Sequence, residues 1–146
     1  MNIVFSSRAS KQSRAALEEL MFFNPQQFRV REGIINSLAR FGHPKLVEVG
    51  DNLTVRIGQQ EAQTLFAYDR NVKNDAPVGM IVFLRTAPEE LAILHVAVQE
   101  DYSLQGRHGD LGLGLMLMDK VKEIALRIVG IKRIIFFYRQ EVVIKF

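Results

Sequence analysis

The 146-residue chain contains no cysteine, which removes disulfides, thiol nucleophiles and thiolate metal sites together and fits a reducing compartment. Apolar runs long enough to span a bilayer are also missing. The opening Met1-Asn2-Ile3-Val4-Phe5-Ser6-Ser7-Arg8 has too short an apolar stretch, and the wrong charge order, for a signal peptide. A cytoplasmic location without membrane association is therefore expected. Charge of one sign is scarce: 19 Lys and Arg stand against 16 Asp and Glu, a net +3, a balance compatible with an anionic ligand and little support for nucleic acid. The three histidines, His43, His95 and His108, lack the i, i+4 spacing and carboxylate partners of a metal site, so no metal is expected. There is no internal repeat, low-complexity tract or linker.

What is present is the composition of a folded protein. At 48% hydrophobic and 24% charged residues, the chain can bury one substantial core, and a single domain over 1–146 is expected. Ile3 to Phe5 reads as a short strand. Ser10 stands at an N-cap ahead of Leu17, Leu20 and Met21 at helical spacing, which predicts a helix from about Lys11 to Phe22. Asn24-Pro25-Gln26-Gln27 restarts a second helix, with an Asn cap and a proline at the first helical position, and Gly42 ends it.

From Lys45 the period changes to two. Leu46 and Glu48 lie in a strand, Gly50-Asp51-Asn52 is a turn, and Leu53 to Ile57 is the partner strand. Thr64 to Tyr68 and Val78 to Leu84 are predicted to form a hairpin around the loop Asp69 to Pro77. Thr86 to Glu90 is the next turn, and Leu91 to Val98 the strand after it. A helix from Leu113 to Val129, burying Leu117, Val121, Ile124, Ala125 and Ile128, crosses over to Ile131–Phe137, making these last two strands parallel. Val142 to Phe146 suffices for one short strand.

The chemistry-bearing segment is Gly109-Asp110-Leu111-Gly112-Leu113-Gly114, where the strand Leu94-His95-Val96-Ala97-Val98 feeds the helix. A helix start leaves backbone N–H groups without acceptors at the positive end of the helix dipole, which suits an anion. The alternative for Gly112 and Gly114 is a close packing point with no ligand.

The element order resembles that of the GNAT acyltransferase superfamily, which uses acetyl-CoA or a related acyl-CoA. Val98-Gln99-Glu100-Asp101-Tyr102 resembles the end of that family's fourth strand, and Gly112-Leu113-Gly114 with Leu117 and Met118 its pyrophosphate loop and helix. The resemblance implies an α/β (α+β) fold: a mixed, mostly antiparallel central sheet with two N-terminal helices and one crossover helix between two parallel strands. It implies that amides from Leu111, Gly112, Leu113, Gly114 and Leu115 hold the diphosphate of acetyl-CoA, and that parted strands offer backbone groups of Ala97, Val98 and Gln99 to the pantetheine arm. The acceptor would be an amine on a small molecule or peptide. Gly109 stands where the family usually has Arg or Gln, and Asp110 brings a negative charge, so Arg107 or His108, in a loop longer than usual, is the candidate substitute cation.

The family usually continues with a further helix carrying an acid tyrosine, whereas this chain ends at Phe146. Either a second subunit completes the wall, giving a homodimer, or the domain binds an acyl-CoA or another anion without turnover. His95 shares a strand face with Ala97 and Gln99. It is read either as a hydrogen-bonded histidine of the sheet or as the base that takes a proton from the amine. Tyr138 is the candidate replacement acid. Glu100 and Tyr102 read more readily as solvated loop residues. Lys132 to Arg139 mixes basic and aromatic residues, but its unbroken apolar run fits a buried parallel strand better than a nucleic-acid surface.

Overall fold

The computed structural model describes residues 2–22, 42–72, 76–103, 106, 109, 112–137 and 141–145. The Ser10 side chain accepts the Gln12 N–H at 3.2 Å and starts a 3-10 turn, Lys11–Ser13, that passes into helix α1, Arg14–Phe22. Leu17, Leu20 and Met21 are buried, as their spacing requires. The predicted second helix lies outside the described residues, apart from Gly42.

Nine strands form one sheet among the described residues. They are β1 (Ile3–Ser6), β2 (Ala9–Ser10), β3 (Pro44–Val49), β4 (Asn52–Ile57), β5 (Gln60–Asp69), β6 (Gly79–Ala87), β7 (Glu90–Val98), β8 (Arg133–Phe137) and β9 (Glu141–Lys145). The order is β2-β4-β5-β6-β7-β8-β9, with β1 also on β5 and β3 also on β4. Among the described residues only β7 and β8 pair in parallel, joined by helix α2, Leu113–Arg127. This is the mixed, mostly antiparallel sheet with one crossover helix that the sequence implies.

Some boundaries differ for physical reasons. β5 begins four residues before Thr64, because Gln60, Glu61 and Gln63 are exposed and a polar half-strand carries little hydrophobic signal. The turn predicted over Thr86 to Glu90 tightens to Pro88 and Glu89, since Ala87 already registers with Glu90. Helix α2 ends at Arg127, and Ile124 and Ile128 on its flank are half-buried, while Leu113, Leu117, Val121 and Ala125 are fully covered.

The core lies on both faces of the sheet. Leu17 and Met21 of α1 pack with Phe66, Met80, Val82 and Ala97 on one face, and α2 packs Leu113, Leu117 and Val121 against Ile81, Phe83 and Ile134 on the other. β6 and β7 are covered on both sides and therefore read as continuous apolar runs. Gly79 brings α2 close to the sheet. A Cβ there would lie 3.1 Å from Leu113 Cδ2, 3.3 Å from Leu117 Cδ1 and 3.4 Å from the Ala97 carbonyl oxygen. The first turn of α2 thus sits directly beside the end of β7.

Candidate active site at the open end of the parallel strands

β7 and β8 register from Glu90↔Arg133 to Ile93↔Phe136. β7 then runs on to Val98, past the last pair that it makes with β8 among the described residues. The paired end is held by charge: the Glu90 carboxylate accepts from Arg133 Nε at 2.9 Å and Thr86 Oγ1 at 2.7 Å. Just past the paired stretch β7 carries a bulge. Val82 registers with His95 but Phe83 with Ile93, so Leu94 is an extra residue that bends the strand and increases its twist.

Beyond the bulge, Ala97 packs into the α1 face while Val96 and Val98 pack toward α2. His95, opposite Val82 of the α1-side core, falls on the α1 face with Ala97, as expected.

The backbone corrects part of the predicted pantetheine site. The Gln99 N–H donates to the Val78 carbonyl at 2.8 Å, and the Gln99 carbonyl accepts the Tyr102 N–H at 2.8 Å. Gln99 therefore has no backbone group to offer. By the two-residue alternation of an antiparallel ladder, Ala97 also turns its backbone toward β6, where it registers with Met80. Val96 and Val98 turn the other way, toward the β8 side; the sequence reading named Val98 and not Val96. The register of β6 decides this, and no pattern within β7 reveals it.

At the helix start, Gly112 has φ 61° and ψ 47°, a left-handed conformation that favours glycine. Its N–H reaches the Gly109 carbonyl at 3.3 Å and its carbonyl accepts Met116 N–H at 3.0 Å. Of the five amides expected from Leu111 to Leu115, Gly112 is thus already engaged and Leu111 lies outside the described residues. The amides of Leu113, Gly114 and Leu115 remain, and the first turn of a helix gives them no internal acceptor. Among the described residues no side chain caps this end, and the first turn holds no acidic residue.

Gly114 bears on the two readings of the glycines, because a Cβ there would meet nothing within 4 Å among the described residues, so against them it is not a close packing point. Gly79 is a close-packing glycine that the sequence reading did not single out; its signal there is only its place near the start of an apolar strand. The candidate cations Arg107 and His108 lie outside the described residues, as do Asp110 and the candidate acid Tyr138.

His95 Nε2 is buried with no hydrogen-bond partner among the described residues. Burial lowers its pKa from 6.5 to about 4, leaving the imidazole neutral at physiological pH. Tyr102 is not the solvated loop residue expected. It is buried, and its hydroxyl donates to Asp69 Oδ2 at 2.5 Å, tying the turn after β7 to the end of β5. Burial, then the hydrogen bond and charge of Asp69, then the charge of Asp101, push its pKa up to about 12. Tyr102 is a structural latch. Glu100 is exposed, as expected.

No family model matches the chain, and no curated protein does. Among solved structures, the chain is similar to the IAA acetyltransferase from Bacillus cereus at 21% identity and a TM-score of 0.47, with 92% of this chain and 64% of that one covered. It is similar to a Desulfovibrio desulfuricans protein described as an acetyltransferase of the GNAT family, at 16% identity and a TM-score of 0.49, covering 92% and 72%. A GNAT family acetyltransferase from Elizabethkingia anophelis with acetyl-CoA bound is similar at 16% identity and a TM-score of 0.40, covering 92% and 63%. This chain therefore spans less than two thirds of the Bacillus and Elizabethkingia chains. None of these similarities assigns an activity or a residue's role to it.

Proposed function

We propose that this chain is an acyl-CoA-dependent N-acyltransferase, a single domain over 1–146 that transfers the acetyl group of acetyl-CoA to an amine. The amine nitrogen attacks the thioester carbonyl directly, the C–N bond forms, the C–S bond breaks, and the coenzyme thiol leaves. The observation that carries this reading is the helix start beside the end of β7. β7 continues beyond Ile93↔Phe136, and next to it the Leu113, Gly114 and Leu115 amides lie in the first turn of α2, where among the described residues a Cβ at Gly114 would meet nothing within 4 Å. Those amides suit the diphosphate, and Val96 is the candidate of β7 for the pantetheine arm. Holding amine and thioester together is itself a large acceleration. Neutral His95 Nε2 is the candidate acceptor of a hydrogen bond from the attacking amine.

The test is calorimetric titration with acetyl-CoA of the native chain and of Gly114→Asp. The open space at Gly114 accommodates the new side chain, and its charge suits the helix dipole, so the variant is expected to melt no lower than the native chain. The same carboxylate repels a diphosphate, so binding heat should vanish. Unchanged binding would remove the helix start from the site.

The same reading takes a small-molecule or peptide amine as acceptor, the cytoplasm as location and a homodimer as the working form. A second reading, an acyl-CoA-binding domain without turnover, is favoured by one observation. With its pKa lowered to about 4, His95 is a weak proton acceptor. Loss of the acetyl-CoA thioester above background with a panel of amines and peptides would support transfer; binding without loss would support the second reading.

A further inference from the structure

Between β7 and α2, described residues are linked by backbone hydrogen bonds three residues apart. The Gln99 carbonyl accepts from the Tyr102 N–H, Ser103 from Gly106, Gly106 from Gly109 and Gly109 from Gly112, at 2.8, 2.9, 3.1 and 3.3 Å in turn. Ser103 also closes on the Glu100 carbonyl, through its N–H at 3.1 Å and its hydroxyl at 2.7 Å. Gly106 is seated on the short turn Glu100–Tyr102. A Cβ there would collide with the Glu100 carbonyl oxygen and lie 2.6 Å from the Asp101 carbonyl carbon and oxygen, so no side chain fits without moving the backbone.

Local bonds of this kind fix the shape of a segment but not its place. Its place comes from the Tyr102 hydroxyl, which donates at 2.5 Å to Asp69 Oδ2, 33 residues away. Asp69 is itself held. It ends β5, registers with Ile3 of β1, and its Oδ1 accepts the Asn71 N–H at 3.0 Å. Both partners are buried, where a hydrogen bond is stronger than in water. The Tyr102 ring joins Leu113 and Leu117 of α2 in one buried cluster.

The N–H groups of a helix's first turn point back along its axis, toward the chain that enters it. Packing of Leu113 and Leu117 fixes the helix, and the Tyr102–Asp69 bond fixes what stands before its amides. We propose that Tyr102 is a positioning residue for those amides. Its bond to Asp69 sets the turn Glu100–Tyr102, and Gly106, seated on that turn, holds the entry to α2 where it leaves the Leu113, Gly114 and Leu115 amides available to an anion. That the anion is the coenzyme diphosphate rests on the acyltransferase reading; the coupling of Tyr102 to the helix entry does not.

Two variants of the whole chain test this. Tyr102→Phe removes only the hydroxyl, and Gly106→Ala leaves the hydroxyl in place but lifts the segment from its seat. Amide hydrogen exchange followed by nuclear magnetic resonance needs no ligand. In both variants exchange at Gly109 and Gly112 should quicken about tenfold, the effect of losing one hydrogen bond to a local opening, while amides across β3 and β4 keep native rates. Unchanged exchange at Gly109 and Gly112 would overturn the proposal, as would quickening spread equally into β3 and β4, which would make Tyr102 a general stabiliser. Titration with acetyl-CoA is the second readout. Both variants should bind about tenfold weaker than the native chain, and where transfer is measured the change should fall on KM for acetyl-CoA with kcat kept. Native affinity in both variants, or a loss confined to kcat, would overturn the proposal. A native chain that binds no acetyl-CoA would instead remove the acyltransferase reading and leave the exchange rates to decide the coupling.

Discussion

Two residues carry most of the site's local physics. Gly79 is the contact point of β6, the Ala97 carbonyl and α2, and Gly79→Ala should destabilise the fold by about 1–3 kcal/mol through overpacking, measured by urea denaturation. His95 gives the chain a pH dependence. Its folded pKa of about 4 lies below the unfolded value of 6.5, so between those values the unfolded chain binds a proton that the folded one refuses. Stability should therefore be fully present above pH 6.5 and fall as the pH drops toward 4, by at most about 1.4 kcal/mol per pH unit. His95→Gln should flatten that part of the curve in denaturation measured at a series of pH values. The candidate status of His95 was legible in sequence, because alternation after Leu94 places it with Ala97. Its missing partner was not, since that depends on what every neighbouring element fails to supply.

At the scale of elements, the paired end of the parallel strands depends on charge. Glu90 is 8% exposed and leans on Arg133 Nε, while Glu89 pairs with the Arg133 guanidinium at 3.6 Å. Arg133→Gln should cost about 2 kcal/mol, because a nearly buried carboxylate loses its charged donor, read as a lowered melting temperature. The two parallel strands and their crossover helix were legible because each is a long apolar segment with a clear period. β5 was half hidden, since Gln60, Glu61 and Gln63 face solvent. The engagement of the Gln99 backbone was invisible for a different reason: Val78, its acceptor, is distant in sequence and only the register of β6 brings it close.

For the whole molecule, β9 is the end of the sheet path, with β8 as its registered neighbour among the described residues. An edge of this kind invites a second strand, which is the physical ground for the homodimer. Sedimentation at micromolar concentration should show a dimer, and a monomer throughout would count against it.

The bulge at Leu94 separates two properties that a regular strand would tie together. If Leu94 were removed, the alternation on either side would join in phase, and the imidazole would stay on its present side of the sheet. What would go is the local bend and added twist of β7. Which way the side chains point is a matter of register, whereas the course of the strand past Ile93 rests on a single surplus residue, so evolution or an engineer can adjust that course without reorienting the side chains.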